Sequence, residues 1–186
     1  YFKYVKDFDT VKFSNMISLP IKYGEHKIEM GDRHVERGLD AVKESNYSDG
    51  IRLLRLGLAR SPGNLEGLVS LAQIYEYGID RKDIAIEMYL SGFEYNGIND
   101  TDFCVAALQS LLKNKMDTEI ISIANEYLPK QFKRGDNPNF QTLAYAAASS
   151  SFYRGNFDKS EDYINTFLLN ESIEGIILSA KISGDR

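Results

Sequence analysis

The sequence holds one cysteine, Cys104, two histidines and no tryptophan in 186 residues. One thiol cannot form an internal disulfide, and three thiol and imidazole side chains are too few for the usual structural zinc sites. His26 and His34 lie eight residues apart, so on one helix they are two turns apart and cannot hold a metal ion unaided. We therefore predict no metal site and no cofactor, and the lack of disulfides favours a reducing, cytoplasmic compartment.

Long apolar runs are also missing. No stretch of about 18 apolar residues and no charged-then-apolar leader occurs, which excludes a spanning helix and a signal peptide from these residues. The opening run Tyr1–Lys6 mixes aromatic and basic side chains and resembles the flank of a membrane anchor, or else is a frayed arm. Because the sequence starts without Met and ends in an unfinished helical unit, we expect a longer protein, with any membrane tether outside these residues.

Positive charge is scarce as well. The net charge is −5, which on average repels a polyphosphate backbone, and the best basic cluster is Lys130, Lys133 and Arg134. Short runs of this kind are usually solvated loops. We predict that the protein does not bind nucleic acid.

Catalytic motifs are missing too. The patterns G-x-x-x-x-G-K-[ST], G-x-G-x-x-G and H-E-x-x-H do not occur. Cys104 has no histidine near it in sequence and falls in a predicted helix, where a cysteine is most often a small buried hydrophobe. We predict no catalytic residue, no small-molecule substrate and no enzyme activity.

What the sequence does contain is internal periodicity. Residues 31–64 divide around a polar break at 44–46 into two segments, each with one apolar stripe at helical spacing. The stripes consist of Val35, Leu39 and Val42, followed by Ile51, Leu54 and Leu58. Gly38, Gly50 and Gly57 would each cost up to about 1 kcal/mol relative to Ala in an exposed helix. Two short helices that approach each other closely account for all three glycines.

The same segment resembles a tetratricopeptide repeat. Gly38 matches the small site of the first helix, Gly50-x3-Leu54 matches A-x3-F, and Pro62 closes the unit. The next unit matches in Leu71-Ala72-x2-Tyr75 and in Ala85-x3-Tyr89. It carries one extra residue in the turn at 77–80.

Weaker copies follow. The third unit shows apolar stripes at helical spacing, with Glu119 at the usual small site. The fourth begins at Asn137-Pro138 and continues with Gly155-Asn156-Phe157 and Ser160-x3-Ile164. Four copies at roughly 34-residue spacing indicate a repeat protein.

This resemblance implies an all-α fold, a right-handed superhelix (solenoid) of stacked antiparallel helix pairs. We predict a solenoid over 31–186, with units at about 31–64, 65–99, 100–137 and 138–171 and a truncated fifth helix at 172–184. Residues 1–30 form an N-terminal arm, whose stretch from Phe8 to Ile21 is too apolar for a free tail. The arm caps the first repeat or, alternatively, lies in the binding groove.

In the tetratricopeptide family the first helix of each pair lines a concave face that binds ligands. Carried over to this sequence, the resemblance places on that face Val35, Leu39, Val42, Val69, Gln73, Tyr77, Cys104, Leu108, Tyr145, Ser149 and Phe152. The alternative for some of these side chains is that they belong to the core.

We predict a non-catalytic protein–protein interaction scaffold that binds a peptide or protein segment on its concave helical surface. The alternative is a regulatory or substrate-recruiting segment of a larger enzyme or of a membrane-anchored assembly.

Overall fold

The computed structural model describes residues 25–131, 137–167 and 173–185, and in these ranges all regular secondary structure is helical. The predicted all-α class is therefore confirmed. Within the described ranges, none of the helices combines the length and the apolar character needed to cross a membrane.

The chain divides into two compact units, Tyr1–Gly97 and Ile98–Arg186. Unit 1 contains α1 (Glu25–Lys43), α2 (Tyr47–Leu58), α3 (Leu65–Gln73), which continues into a π-helical turn (Ile74–Gly78), and α4 (Lys82–Glu94). A 3₁₀ turn (Gly97–Asn99) lies at the boundary in sequence. Unit 2 contains α5 (Thr101–Lys113), α6 (Asp117–Gln131), α7 (Pro138–Tyr153), α8 (Phe157–Phe167) and α9 (Ile173–Asp185).

Helix α1 begins at Glu25, six residues before the predicted start of the first repeat at 31, so the end of the predicted arm is helical. Residues 1–24 lie outside the described residues. The two predictions for the arm, that it caps the first repeat or that it enters the groove, fall on these residues. Residues 132–136, with Lys133 and Arg134 of the basic cluster, also lie outside the described residues.

Asparagine and aspartate side chains set the starts of several helices. Each accepts a hydrogen bond from a backbone N–H of the first turn, which satisfies a donor that the helix itself cannot use. These caps are Asn46 to the N–H of Asp49, Asn64 to that of Gly67, Asp100 to that of Phe103, and Asn137 to that of Asn139. Pro138 occupies the first turn of α7, where its missing N–H costs nothing.

Three of the helix pairs turn in the same way. The second residue after the first helix has a positive φ, at Ser45, Lys115 and Gly155. The N–H of the following residue bonds to the carbonyl five residues back, as in Asn156 to Ser151 at 2.9 Å. This is the Schellman arrangement, which satisfies the last carbonyls of a helix. Structurally equivalent turns therefore recur where the sequence predicts repeats.

The turns also define which residues are equivalent. Asp80, before α4, has a positive φ as well. Five residues after each of these four positive-φ residues lies a buried position on the second helix of the pair, occupied by Gly50, Ala85, Ile120 and Ser160. The sequence comparison placed Glu119 at this site in the third unit, which is wrong by one residue. Ile120 is fully buried there and Glu119 is half-buried, because the turn fixes which side of α6 faces its neighbours.

The glycines between α1 and α2 confirm the predicted close approach. A Cβ on Gly57 would lie 2.7 Å from Cγ2 of Val35 and 2.8 Å from the carbonyl oxygen of Gly31. A Cβ on Gly50 would lie 2.6 Å from Cγ2 of Val42. Any larger residue at these positions would push the two helices apart.

Helices pack on neighbours that are near in sequence. In unit 1, α1 packs on α2 and on α3, α2 packs on α3, and α3 packs on α4. In unit 2, α7 packs on α5, α6, α8 and α9, while α5 packs on α6 and α8 on α9. Within each unit, the first helix of a pair thus contacts both its own partner and the first helix of the next pair.

Candidate functional site

A groove of about 440 Å³ opens in unit 1, and we call it groove 1. It lies between the end of α1, the start of α2 and the last turns of α3. Its lining residues are Val42, Tyr47, Ile51, Ser70, Gln73, Ile74, Tyr77 and Gly78. Three of them, Val42, Gln73 and Tyr77, belong to the binding face predicted from sequence.

The π-helical turn places Tyr77 in groove 1. At the end of α3 the N–H of Ile79 bonds to the carbonyl of Ile74 at 3.1 Å, and that of Arg81 bonds to the carbonyl of Tyr75, six residues back, at 2.8 Å. In the other three turns the matching bond spans five residues. The extra residue predicted in this turn is confirmed, since the π turn accommodates it.

Two exposed aromatic side chains flank groove 1. Tyr77 is 65% exposed and Tyr47 is 52% exposed, whereas Ile51 beneath them is 9% exposed. Tyr47 is the first residue of α2, directly after the capping Asn46. Single exposed hydrophobic residues are ordinary, but two tyrosines around one apolar depression form a contiguous patch of the kind that marks interaction sites.

Unit 2 has a groove at the equivalent place, with a volume of about 650 Å³, which we call groove 2. Leu112 matches Val42, three residues before the positive-φ residue, and Asp117 matches Tyr47, two residues after it. The lining differs in charge because it includes lysines as well as tyrosines. The complete lining is Leu112, Lys113, Lys115, Asp117, Tyr145, Ser149 and Tyr153.

Two other predicted residues, Tyr145 and Ser149, line groove 2. In contrast, Val35, Cys104 and Leu108 are at most 1% exposed and form part of the core, so they offer no surface to a partner. The physical reason is that α1 packs on α2 and α3, and α5 packs on α6 and α7, so a side chain between neighbouring helices is covered.

The remaining predicted residues, Leu39, Val69 and Phe152, are half-buried and line neither groove. The Phe152 ring packs against Phe157, with ring centres 5.6 Å apart.

Cys104 is a buried free thiol whose environment disfavours its ionisation. Burial, with a contribution from the negative charge of Asp100, raises the pKa of its thiol to about 12. Its Sγ lies 4.0 Å from the carbonyl oxygen of Asn139 inside the core of unit 2. Because the thiolate is the form that attacks substrates and binds metals, so high a pKa disfavours both roles at neutral pH. Elsewhere in the described part of the chain, no group of three or more His, Cys, Asp and Glu side chains could hold a metal ion.

The sequence prediction included five of the groove residues and missed the others, among them the exposed aromatic residues Tyr47 and Tyr153. Both are exposed and stand beside a hairpin turn, Tyr47 just after its turn and Tyr153 just before. The available signal was an aromatic residue next to a turn, whereas the predicted binding face contained residues of the first helices alone.

In comparisons with protein-family models, with curated proteins and with solved structures, the chain has no match. The resemblance to tetratricopeptide repeats therefore stays a prediction from the sequence pattern.

Proposed function

We propose that this protein is a non-catalytic interaction scaffold of the tetratricopeptide kind, which binds a peptide or protein segment in groove 1. The observation that carries the proposal is the pair of exposed tyrosines, Tyr47 and Tyr77, on either side of an apolar floor.

The order of helix neighbours supports the repeat architecture. Within each unit, first helices of successive pairs contact each other, as they do in a stack of hairpins. The recurring turn and the buried site five residues after it give the pairs a common register. We propose that the helix pairs continue as a right-handed superhelix, which would place the first helices on one face.

The lining of groove 1 suits a partner with apolar side chains. Its volume of about 440 Å³ lies within the range of about 300–1,000 Å³ found for ligand sites. Tyrosine is among the residues that most often dominate binding energy, because its ring gives a large apolar contact at low entropic cost. Ser70 and Gln73 add polar groups that can bond to the backbone of a bound segment.

The proposal is tested with peptides selected for binding to the whole 186-residue chain from a random display library. We expect Tyr77→Ala and Tyr47→Ala each to weaken the selected peptides about tenfold or more, as truncation of an anchoring residue does. Affinity is measured by isothermal titration, with a thermal melt to show that each variant folds.

The matched control is Ile177→Ala on α9, which removes an exposed apolar side chain outside both grooves and should leave the affinity unchanged. Tyr153→Ala tests groove 2 in the same way. Peptides that bind the two groove 1 variants as tightly as the unaltered chain would refute the assignment to groove 1.

A further inference from the structure

A third cavity, of about 200 Å³, lies in unit 2 at the turn between α7 and α8, and we call it the turn pocket. The start of α6, the end of α7 and the start of α8 form its walls. Six residues line it: Thr118, Ile121, Ser151, Arg154, Asn156 and Lys159. None of them belongs to groove 1 or groove 2.

The lining of the turn pocket is positive, although the whole chain carries a net charge of −5. Arg154 and Lys159 supply two cations, and no carboxylate is among the six residues. Neither cation forms an ion pair with a carboxylate of the described residues. Asp158 lies in the first turn of α8 but does not line the pocket.

Arg154 is held in place. Its Nη1 donates a hydrogen bond of 2.7 Å to Oγ1 of Thr118 across the gap between α7 and α6. The Thr118 hydroxyl accepts this bond, so its own proton remains available for an acceptor in the pocket. The guanidinium keeps further N–H donors for the same purpose.

The start of α8 adds to the positive potential. This helix has 11 residues. The N–H groups in the first turn of a helix give its N-terminus a partial positive charge, which attracts anions. The side chain of Asn156 accepts from the N–H of Lys159 at 3.2 Å, which fixes the turn that forms one wall.

An independent observation comes from Ser151. This pocket-lining residue is 0% exposed, and its Oγ has no hydrogen-bond partner among the described residues. Buried hydroxyls are nearly always hydrogen-bonded, because losing water without replacement costs free energy. The Oγ is closed to solvent in this structure, and an acceptor in the turn pocket would remove that cost on contact with it.

We propose that the turn pocket binds a phosphate group. Phosphate offers several acceptor oxygens and one to two negative charges near neutral pH, which match the two cations and the hydroxyls of Thr118 and Ser151. Ile121 closes the pocket with an apolar wall. The group is inorganic phosphate or the phosphate of a phosphorylated side chain, which share this chemistry.

The test is isothermal titration of the whole chain with inorganic phosphate and, separately, with N-acetyl-phosphoserine amide, at constant ionic strength. We expect saturable binding that Arg154→Gln weakens about tenfold or more, because a charge-assisted hydrogen bond is lost. We expect Ser151→Ala to weaken it about threefold to tenfold, as the loss of a neutral hydrogen bond does. Tighter binding of the phosphoserine derivative assigns the site to a phosphorylated partner, and equal or weaker binding assigns it to the free anion.

Ser150 provides the matched control. It precedes Ser151, is also 0% exposed with an unpartnered hydroxyl among the described residues, but does not line the pocket. Ser150→Ala should therefore leave phosphate affinity unchanged, as should Tyr77→Ala in groove 1. Absence of saturable binding at millimolar phosphate, or equal weakening by Ser150→Ala and Ser151→Ala, would overturn the proposal.

Discussion

The two compact units share a backbone plan but differ in the side chains that fill it. Groove 1 and groove 2 occupy matching places beside a hairpin turn, yet one is bordered by Tyr47 and the other, at the same step from the turn, by Asp117. Groove 1 has an uncharged, mostly apolar lining, while groove 2 includes two lysines and Asp117. The comparison teaches that the turn and the helix caps fix the frame, whereas surface residues decide what each unit can bind.

The interior shows the same contrast. Leu68 and Cys104 each lie four residues after a capping residue, Asn64 and Asp100, and both are buried. At the position five residues after the turn, unit 1 has Gly50 and Ala85, whereas unit 2 has larger or polar residues. Equivalent backbone positions therefore hold side chains of different volume, because the side chains of the helix packed against them differ as well.

The largest expected effect concerns Cys104. Its pKa of about 12, against an ordinary value of 9.0, leaves about a thousandfold less thiolate at neutral pH, since the difference is three pKa units. We expect a thiol reagent at pH 7.5 to react with the folded chain at least about a hundredfold more slowly than with the chain in urea.

The same shift predicts a pH dependence. Because folding raises the pKa of this thiol, its ionisation favours the unfolded chain. The corresponding stability should be complete below about pH 9 and should be lost as the pH rises toward 12. Rapid stoichiometric labelling of the folded chain at pH 7.5 would show that Cys104 is not the buried counterpart of Leu68.

The second prediction tests the buried position five residues after each turn. Ile120→Ala in unit 2 leaves a cavity where the side chain is fully buried, and we expect a loss of about 2–5 kcal/mol in the free energy of unfolding. Ala85→Leu in unit 1 makes the opposite change at the equivalent position and should cost about 1–3 kcal/mol through overpacking. Urea denaturation measures both.

Ile121→Ala and Ile86→Leu are the controls for this pair, because each lies one residue further along and is half-buried. Both should cost less than their neighbours. Equal losses for Ile120→Ala and Ile121→Ala would mean that the turns do not define equivalent positions in the two units.

The smallest expected effect concerns the π turn, which distinguishes groove 1 from groove 2. Deletion of Gly78 gives the second hairpin the same turn length as the other three and should withdraw Tyr77 from the groove. On the proposed function, affinity for a groove 1 peptide should fall about tenfold, or about 1.4 kcal/mol, as judged by titration. Circular dichroism should show that helix content is kept.

Gly78→Ala is the control for the deletion, because an added Cβ would meet only Cγ2 of Ile74, at 3.9 Å. It keeps the length of the turn and should change the affinity little. Unaltered affinity after the deletion would show that the extra residue has no part in binding.

Much of the fold could be read from local sequence. Apolar spacing located the helices, Asn137-Pro138 marked a helix start, and Gly38, Gly50 and Gly57 indicated a tight helix pair. Each of these signals acts over a few residues, through capping, helix periodicity or close approach. For that reason these signals can be recognised without knowing which helix packs alongside.

The binding surface was less predictable. Periodicity places Val35 and Tyr77 equally on apolar faces of their helices, but only the packing of α1 against α2 and α3 buries one of them. In the same way, Ile120 and not Glu119 is the buried residue because of the geometry of the preceding turn, which the sequence does not show. Errors therefore fell at positions whose environment is made by residues distant in sequence.

The sequence by itself determined that this chain is helical, where most helices begin and end, and that one turn is a residue longer than the others. Those properties follow from interactions within a few residues. Only the tertiary structure decided which apolar side chains become core, how the long turn presents Tyr77, and that Ser151, Arg154 and Lys159 meet around one cavity. Burial and electrostatic potential depend on side chains from neighbouring helices, so the local sequence does not determine either of them.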